Sequence, residues 1–480
     1  MENKEKTNKY PRSALVNALS VAVLALARAA FLWWGLTAKE LTAAGIVTAG
    51  LSLAIFAIAL VLMIPSAIRF FSGAAESAPH ALGDRSLRRE GRHPVLRLML
   101  TLLLARLLVM LIAYVISNLV YGYTGSFFAT VERIWLKLDT DAPHYFSIAE
   151  NGYTTVEPQM YTIVFLPLFP MLIRVFNLVF GSSFASAMVI NTLCTLGAGV
   201  FIYKLALLDM GRRSARIAVL FALSLPGAIF LIAPMSEALF LLLSTAALYY
   251  MRKCGFWLAA ALCALAAFTR SVGIILIVPF FAEALNYTVR TAREKGRRGL
   301  WKLVLKMLAC LAICCLGTFA YLLINKLVWG DWFKFVRFQR EIWYQSIGPF
   351  FGSACTQMNC LIRSVSTELE DLFGLWLPNL LFTFGALFVF VFSARTLRTS
   401  YSLYFAVYFA IACGAAWLLS APRYLSALTV LPIALALLCE GRDDGVALGR
   451  ARAKTAIVSV LLMIGQLAYL VMYILGYSIY

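Results

Sequence analysis

The sequence predicts an all-α polytopic membrane protein. Hydrophobic residues make up 62% of its 480 residues and charged residues only 14%, where soluble domains carry about a quarter charged. Mean hydropathy is +0.83. Apolar runs of helix-spanning length recur from end to end, separated by short polar turns, the pattern of many transmembrane helices rather than one anchor. About thirteen spans fit this pattern, with two large polar loops and no stretch polar enough for a separate soluble domain.

The basic N-terminus, MENKEKTNKYPR, leads without a cleavage-like site into a long apolar run and reads as a retained anchor. Two spans follow, Ala14 to Leu36 and Leu41 to Ile64, then a basic linker from Arg69 to Arg92 carrying Arg85, Arg88 and Arg89. The third span covers Val95 to Val120. The polar stretch after it, LDTDAPHYFSIAENGY (Leu138 to Tyr153), ends in the proline-broken FLPLFP, Phe165 to Pro170. Two prolines argue against a spanning helix there and for a re-entrant or interfacial piece packed on protein. Later spans are expected at Phe184 to Ala206, Ile217 to Ala233, Ser236 to Tyr250, Phe256 to Phe268, Val272 to Leu285 and Leu303 to Leu327. After the second polar loop, Trp329 to Gly374, come Leu375 to Phe392, Tyr401 to Leu419, Leu425 to Leu438 and Ala456 to Leu475.

The formal charge of +19 does not point to nucleic acid, because the Lys and Arg residues sit mainly in short connections between apolar runs. There they act as topology signals and meet anionic lipid. With this many spans every strongly basic connection falls on one side, so the N-terminus is expected in the cytoplasm and both large loops outside. Most of the ten cysteines lie in apolar runs and behave as small hydrophobes. Cys355 and Cys360 lie in the second loop, where a disulfide and two free thiols are both open.

The outer face collects the chemistry. Asp139, Asp141 and His144 lie within six residues of one another in the first loop. Three tight outer turns each add an ionisable residue at the hydrocarbon edge: Ser236 and Glu237 in APMSEALF, Arg270 in FTRSVG, and Arg423 in SAPRYL. Taken singly, each is a snorkelling cap or structural ion pair. Together they read as a site, since charge at membrane depth is costly unless paired or functional. Arginines suit a phosphate, which they bind bidentately, and a carboxylate beside them suits activation of a hydroxyl. The combination points to group transfer from a lipid-phosphate donor.

DAPHYFSIAENGY followed by FLPLFP resembles the signature of the GPI mannosyltransferase II (PIG-V) family and its bacterial relatives, among the class C polyprenyl-phosphate-sugar glycosyltransferases. Asp141, His144, Tyr145, Ile148, Ala149, Gly152, Tyr153, Pro167 and Pro170 match its pattern; Thr140 stands where a tryptophan is usual. PMSEALF, FTRSVG, GDWFKFVRFQREIW and PRYL resemble further family motifs, in order. The resemblance divides the chain into residues 1–94, a leading helix pair and basic linker, and residues 95–480, a class C glycosyltransferase membrane domain. It implies an Asp base, Asp141 or Asp139, activating an acceptor hydroxyl for direct inverting attack on a polyprenyl-phosphate-linked hexose, mannose by family. His144 orients the base or meets phosphate, and Arg270 and Arg423 bind the donor phosphate. Ser236, Glu237, Tyr145, Trp332, Gln339 and Trp343 are expected to contact substrate, the tryptophans by stacking or as an interfacial belt. The acceptor is a lipid, glycan or protein, in a setting of membrane lipids. No cofactor is required, and a divalent metal stays open. A lipid or lipid-linked-sugar transporter, and a non-catalytic subunit of an envelope-assembly complex, are the rival readings.

Overall fold

The computed structural model describes residues 10–38, 41–73, 94–122, 125–137, 140–296, 299–415, 420–440, 445–477 and 479, and every regular element among them is helical. The first four helices are α1 (Tyr10–Thr37), α2 (Ala43–Phe71), α3 (Pro94–Tyr121) and α4 (Phe127–Trp135). Next come α5 (Ala142–Asn151), α6 (Leu168–Phe180), α7 (Ser183–Ala206), α8 (Arg212–Ser224), α9 (Glu237–Arg252) and α10 (Phe256–Thr269). They are followed by α11 (Ile277–Lys295), α12 (Leu300–Trp329), α13 (Lys334–Glu341), α14 (Phe350–Thr367) and α15 (Leu377–Ser393). The last four are α16 (Thr399–Ala412), α17 (Ala421–Ser426), α18 (Val430–Leu438) and α19 (Gly445–Leu475).

Among the described residues eight helical stretches are long and apolar enough to cross a membrane: α1, α2, α3, α7, α12, α19, and α11 and α15 with their lead-in turns. The chain is therefore a polytopic all-α membrane protein, as its composition predicts. Helices α6, α10 and α16 are apolar but shorter. Two stretches that hydropathy reads as single spans are broken. α8 passes into a 3-10 turn, Pro226–Leu231, and α17 stops before α18 begins. Such breaks survive at membrane depth only where protein groups satisfy the freed backbone. Here Arg106 of α3 donates to the Leu231 carbonyl at 2.8 Å and to Ile232 at 3.3 Å, and Asn191 of α7 donates to Met235 at 3.0 Å.

The prolines of FLPLFP start a helix instead of merely breaking one. Pro167 occupies the N-cap of α6 and Pro170 its first turn, where a missing N–H costs nothing. At 13 residues α6 is too short to span, and Phe169, Pro170 and Ile173 are buried against protein.

The second polar segment is not an open loop. Its middle forms α14, whose Phe350, Phe351 and Cys355 are buried against the leading pair. Trp34 of α1 meets Phe351 edge-on at 5.7 Å, and a Cβ at Gly45 of α2 would lie 2.5 Å from the Cys355 sulfur. Helices α1 and α2 thus brace the second large segment from the side. Cys355 and Cys360 are both free thiols.

Helix α9 sits at the centre, packed against α7 and α10, with almost every residue of its first three turns buried. Its two ends carry two separate ion-pair clusters. At its C-terminus Arg252 clamps Asp209 with bonds of 2.6 and 2.8 Å and reaches the Tyr401 hydroxyl at 2.6 Å. Alongside, Arg398 grips Glu283 at 2.6 and 2.9 Å. The N-terminus of α9 holds the other cluster.

Candidate active site

Four chain segments converge at that N-terminus. Asp141 is the N-cap residue of α5, a position whose carboxylate ordinarily accepts from the first turn. Here it makes no such bond and instead accepts from Nη2 of Arg423, 282 positions away. Ser236 is likewise the N-cap of α9 without capping it. Its hydroxyl bonds the Tyr145 hydroxyl at 2.9 Å and accepts from Arg270 at 3.1 Å. Glu237 opens α9, and its Oε1 accepts from both Arg270 Nη1 and Arg423 Nε. Two guanidiniums and two carboxylates therefore interlock, with Arg423 bridging the acids and Glu237 bridging the arginines.

Close backbone contacts hold the arginines there. A Cβ at Gly227 would lie 2.1 Å from the Pro422 carbonyl oxygen, so only glycine lets the 3-10 turn lie against α17. Gly273 plays the same part beneath Arg270, with a Cβ there 2.3 Å from the Ala266 carbonyl oxygen. Rings cover the guanidiniums: Tyr424 lies 5.5 Å from Arg270 and Phe230 lies 5.4 Å from Arg423, each a favourable cation–π placement.

The four charges differ in access, and this separates their roles. The Glu237 side chain is 1% exposed and Arg423 5%, whereas Asp141 is 27% exposed. Asp141 is the carboxylate an incoming group can reach; Glu237 is the buried anchor. Burial opposes ionisation of Asp141, but the adjacent Arg423, helped by Arg270, holds its carboxyl below the usual aspartate value. His144 stacks on Phe165 at 4.9 Å and meets Trp343 edge-on at 5.2 Å. Its burial outweighs the pull of Asp141 and lowers its pKa, so the imidazole is neutral at pH 7. Tyr153 secures the wall by donating to the Phe165 carbonyl at 2.6 Å.

Of the residues singled out in the sequence, Asp141, Tyr145, Ser236, Glu237, Arg270 and Arg423 form one bonded cluster, with His144 and Trp343 on its aromatic rim. Trp332 packs instead on Phe319, at 6.0 Å, and Gln339 lies on α13 with its carbonyl accepting from Gln345 at 2.8 Å; neither contacts the cluster. Asp139 lies outside the described residues. Arg106 and Asn191, which pin the turn carrying Ser236, escape a reading of loops and turns. Their signal is a polar residue inside an apolar run, LLLARLLVM and MVINTLC. Among the described residues no group of three or more His, Cys, Asp or Glu side chains is placed to share a metal ion.

The fold and the cluster together define a polytopic helical membrane protein with a partly open carboxylate held by arginines at a helix N-terminus. Residues 92–329 match the family model described as Mannosyltransferase (PIG-V). The chain is PIG-V-like, a membrane glycosyltransferase, and the match favours group transfer over the transporter reading. The matched segment holds Asp141, Glu237 and Arg270; Arg423 lies beyond it. No curated protein and no solved structure shows a significant match to the chain.

Proposed function

We propose that the chain transfers mannose from a polyprenyl-phosphate donor to an acceptor hydroxyl at the outer membrane face, by direct inverting displacement with Asp141 as base. The observation that carries this is the sharing of Arg423 between Asp141 and Glu237. Asp141, the accessible carboxylate of the described cluster, lies beside two guanidiniums of the kind that suits a phosphate, which supports this reading. The outer-face assignment rests on the basic connections between spans; among the described residues Arg252 and Arg398 lie at the opposite end of α9. Residues 95–480 form the transferase domain in this reading, with α1 and α2 of the preceding segment as its lateral brace.

While Arg423 holds it, Asp141 is a weak base. The donor phosphate competes for the same guanidinium, and each bond it takes from Asp141 returns basicity to the carboxylate. The acceptor O–H then gives its proton to Asp141 as the oxygen attacks the anomeric carbon. The carbon–oxygen bond to phosphate breaks with both electrons, and the polyprenyl phosphate leaves as an anion stabilised by Arg270 and Arg423. Glu237, buried beneath the cluster, keeps both arginines in place. Neutral His144 and Trp343 form an aromatic rim on which a sugar ring can stack.

The test is incubation of purified protein with labelled polyprenyl-phosphate-mannose and total membrane lipid. Labelled mannoside of inverted anomeric configuration is expected. Donor that binds yet yields no product with any lipid, glycan or peptide fraction refutes the reading.

A further inference from the structure

Helix α1 lies outside the segment that matches the transferase family, and it carries an arginine where a lone charge should not be. Its spanning portion is Ser13–Thr37, 25 residues with Ala25 at the midpoint. Arg28 is three residues further, about 4.5 Å from the centre at 1.5 Å per residue. It is exposed, and among the described residues nothing pairs with it. Apart from Trp34, no described α1 side chain is buried; Ser20, Val23, Ala27, Ala30 and Phe31 form the half-buried face. Arg28 therefore lies off the half-buried face that meets the described helices of its own chain, in a stretch long and apolar enough to cross a membrane. The same exposed arc carries Asn17 and a row of alanines at positions 18, 22, 25 and 29, a small-residue surface that lets a second helix approach closely.

A charged side chain near mid-membrane is expensive until it meets an opposite charge. A second copy of this chain cannot supply one from the described residues. The acid at the middle of a spanning stretch, Glu283, is buried in its pair with Arg398. We infer that α1 is the docking helix for a different membrane protein, one whose spanning helix carries an Asp or Glu near mid-membrane facing Arg28. Because α1 also braces α14 through Trp34 and Phe351, the partner would sit beside the second large segment.

The test compares the full chain as wild type, Arg28→Lys, Arg28→Leu and Arg28→Glu, each extracted in mild detergent from the cells that naturally make it and analysed by native mass spectrometry. Wild type and Arg28→Lys are expected to retain a second polypeptide in fixed ratio, bearing a mid-span acid. Arg28→Leu and Arg28→Glu should lose it, and changing that acid to Lys should restore the complex with Arg28→Glu. A wild type of single-chain mass, one carrying anionic lipid alone, a homo-oligomer, or a complex that survives Arg28→Leu each overturns the inference. Unchanged thermal melting of Arg28→Leu in detergent excludes misfolding. Mannosyl transfer by the isolated chain is measured in parallel and should not differ among the four, so this result reads separately from the proposed activity.

Discussion

Asp141→Asn and Glu237→Gln should fail in opposite ways, because the cluster gives the two acids different jobs. Asn at position 141 keeps the shape of the side chain and an oxygen that accepts from Arg423, which also retains Glu237. The site is partly open, so the loss of charge should cost only about 1 kcal/mol of stability. Turnover, however, loses its base, a drop of about 10²–10⁴-fold, or roughly 3–5 kcal/mol of barrier. Glu237→Gln removes the charge that both arginines share at a site 1% exposed. Breaking a buried pair from one side costs about 3–5 kcal/mol, so this variant should melt far below wild type or fail to accumulate. Thermal melting in detergent and mannosyl transfer from labelled donor, measured side by side, read both effects. If Asp141→Asn keeps full turnover, or if Asp141→Asn is the unstable variant and Glu237→Gln the stable one, the division between base and anchor is wrong.

Four further outcomes follow from the same geometry. Arg270→Lys and Arg423→Lys should each weaken donor binding measured by competition with polyprenyl phosphate, since a point charge cannot replace a forked contact; unaltered affinity in both removes them from the phosphate site. The acid limb of kcat should lie at higher pH than that of kcat/KM, because in the free protein Arg423 holds the Asp141 carboxyl below the usual aspartate value while a bound phosphate draws Arg423 away; coincident limbs contradict the exchange. For the same reason the Asp141–Arg423 pair should stabilise the fold fully above the unfolded carboxylate pKa, and its contribution should be lost as pH falls from there through the lower folded pKa, read as melting temperature against pH. Gly227→Ala should separate the 3-10 turn from α17 and lower activity and melting temperature together, given the 2.1 Å approach to the Pro422 carbonyl; a silent Ala would show that the turn is not tightly seated.

Much of the fold was legible because lipid imposes a simple rule on composition, and the long helices obey it. The broken spans were not legible: hydropathy measures apolarity, and Ile217 to Ala233 is apolar whether or not its backbone is continuous. What permits the break is Arg106; the local pattern shows a charge in an apolar run, but not the distant backbone it meets. The helical content of the second segment was hidden in a similar way. α14 carries its apolar residues on one face, buried by α1 and α2 only once those helices fold back. The site was easier to read, since charged residues at hydrocarbon edges are rare enough to count. Six of the singled-out residues meet in one cluster, whereas Trp332 and Gln339 were singled out from a motif resemblance and from ring stacking, neither of which says which way a side chain in the turn before α13, or on α13, points.

The interlocked charges also bear on why group transfer suits this site better than carriage of the same lipid across the membrane. A carrier must release its cargo on the far side, so its binding charges have to become accessible from both faces. Here Glu237 and the bridge to Arg423 are sealed, with α17 locked to the 3-10 turn at Gly227 and α9 buried for most of its length. Moving Arg423 toward the other face would expose or unpair Glu237 and Arg270 together, at the cost expected for a broken buried pair. The opposite end of α9 is closed as well, by Arg252 and Asp209 beside Arg398 and Glu283. Both ends of the central helix are thus pinned by ion pairs, and within the cluster Asp141 alone has a substantially open side chain. A fixed scaffold whose described cluster has one accessible carboxylate, Asp141, favours chemistry performed in place on a substrate that arrives and leaves at one surface.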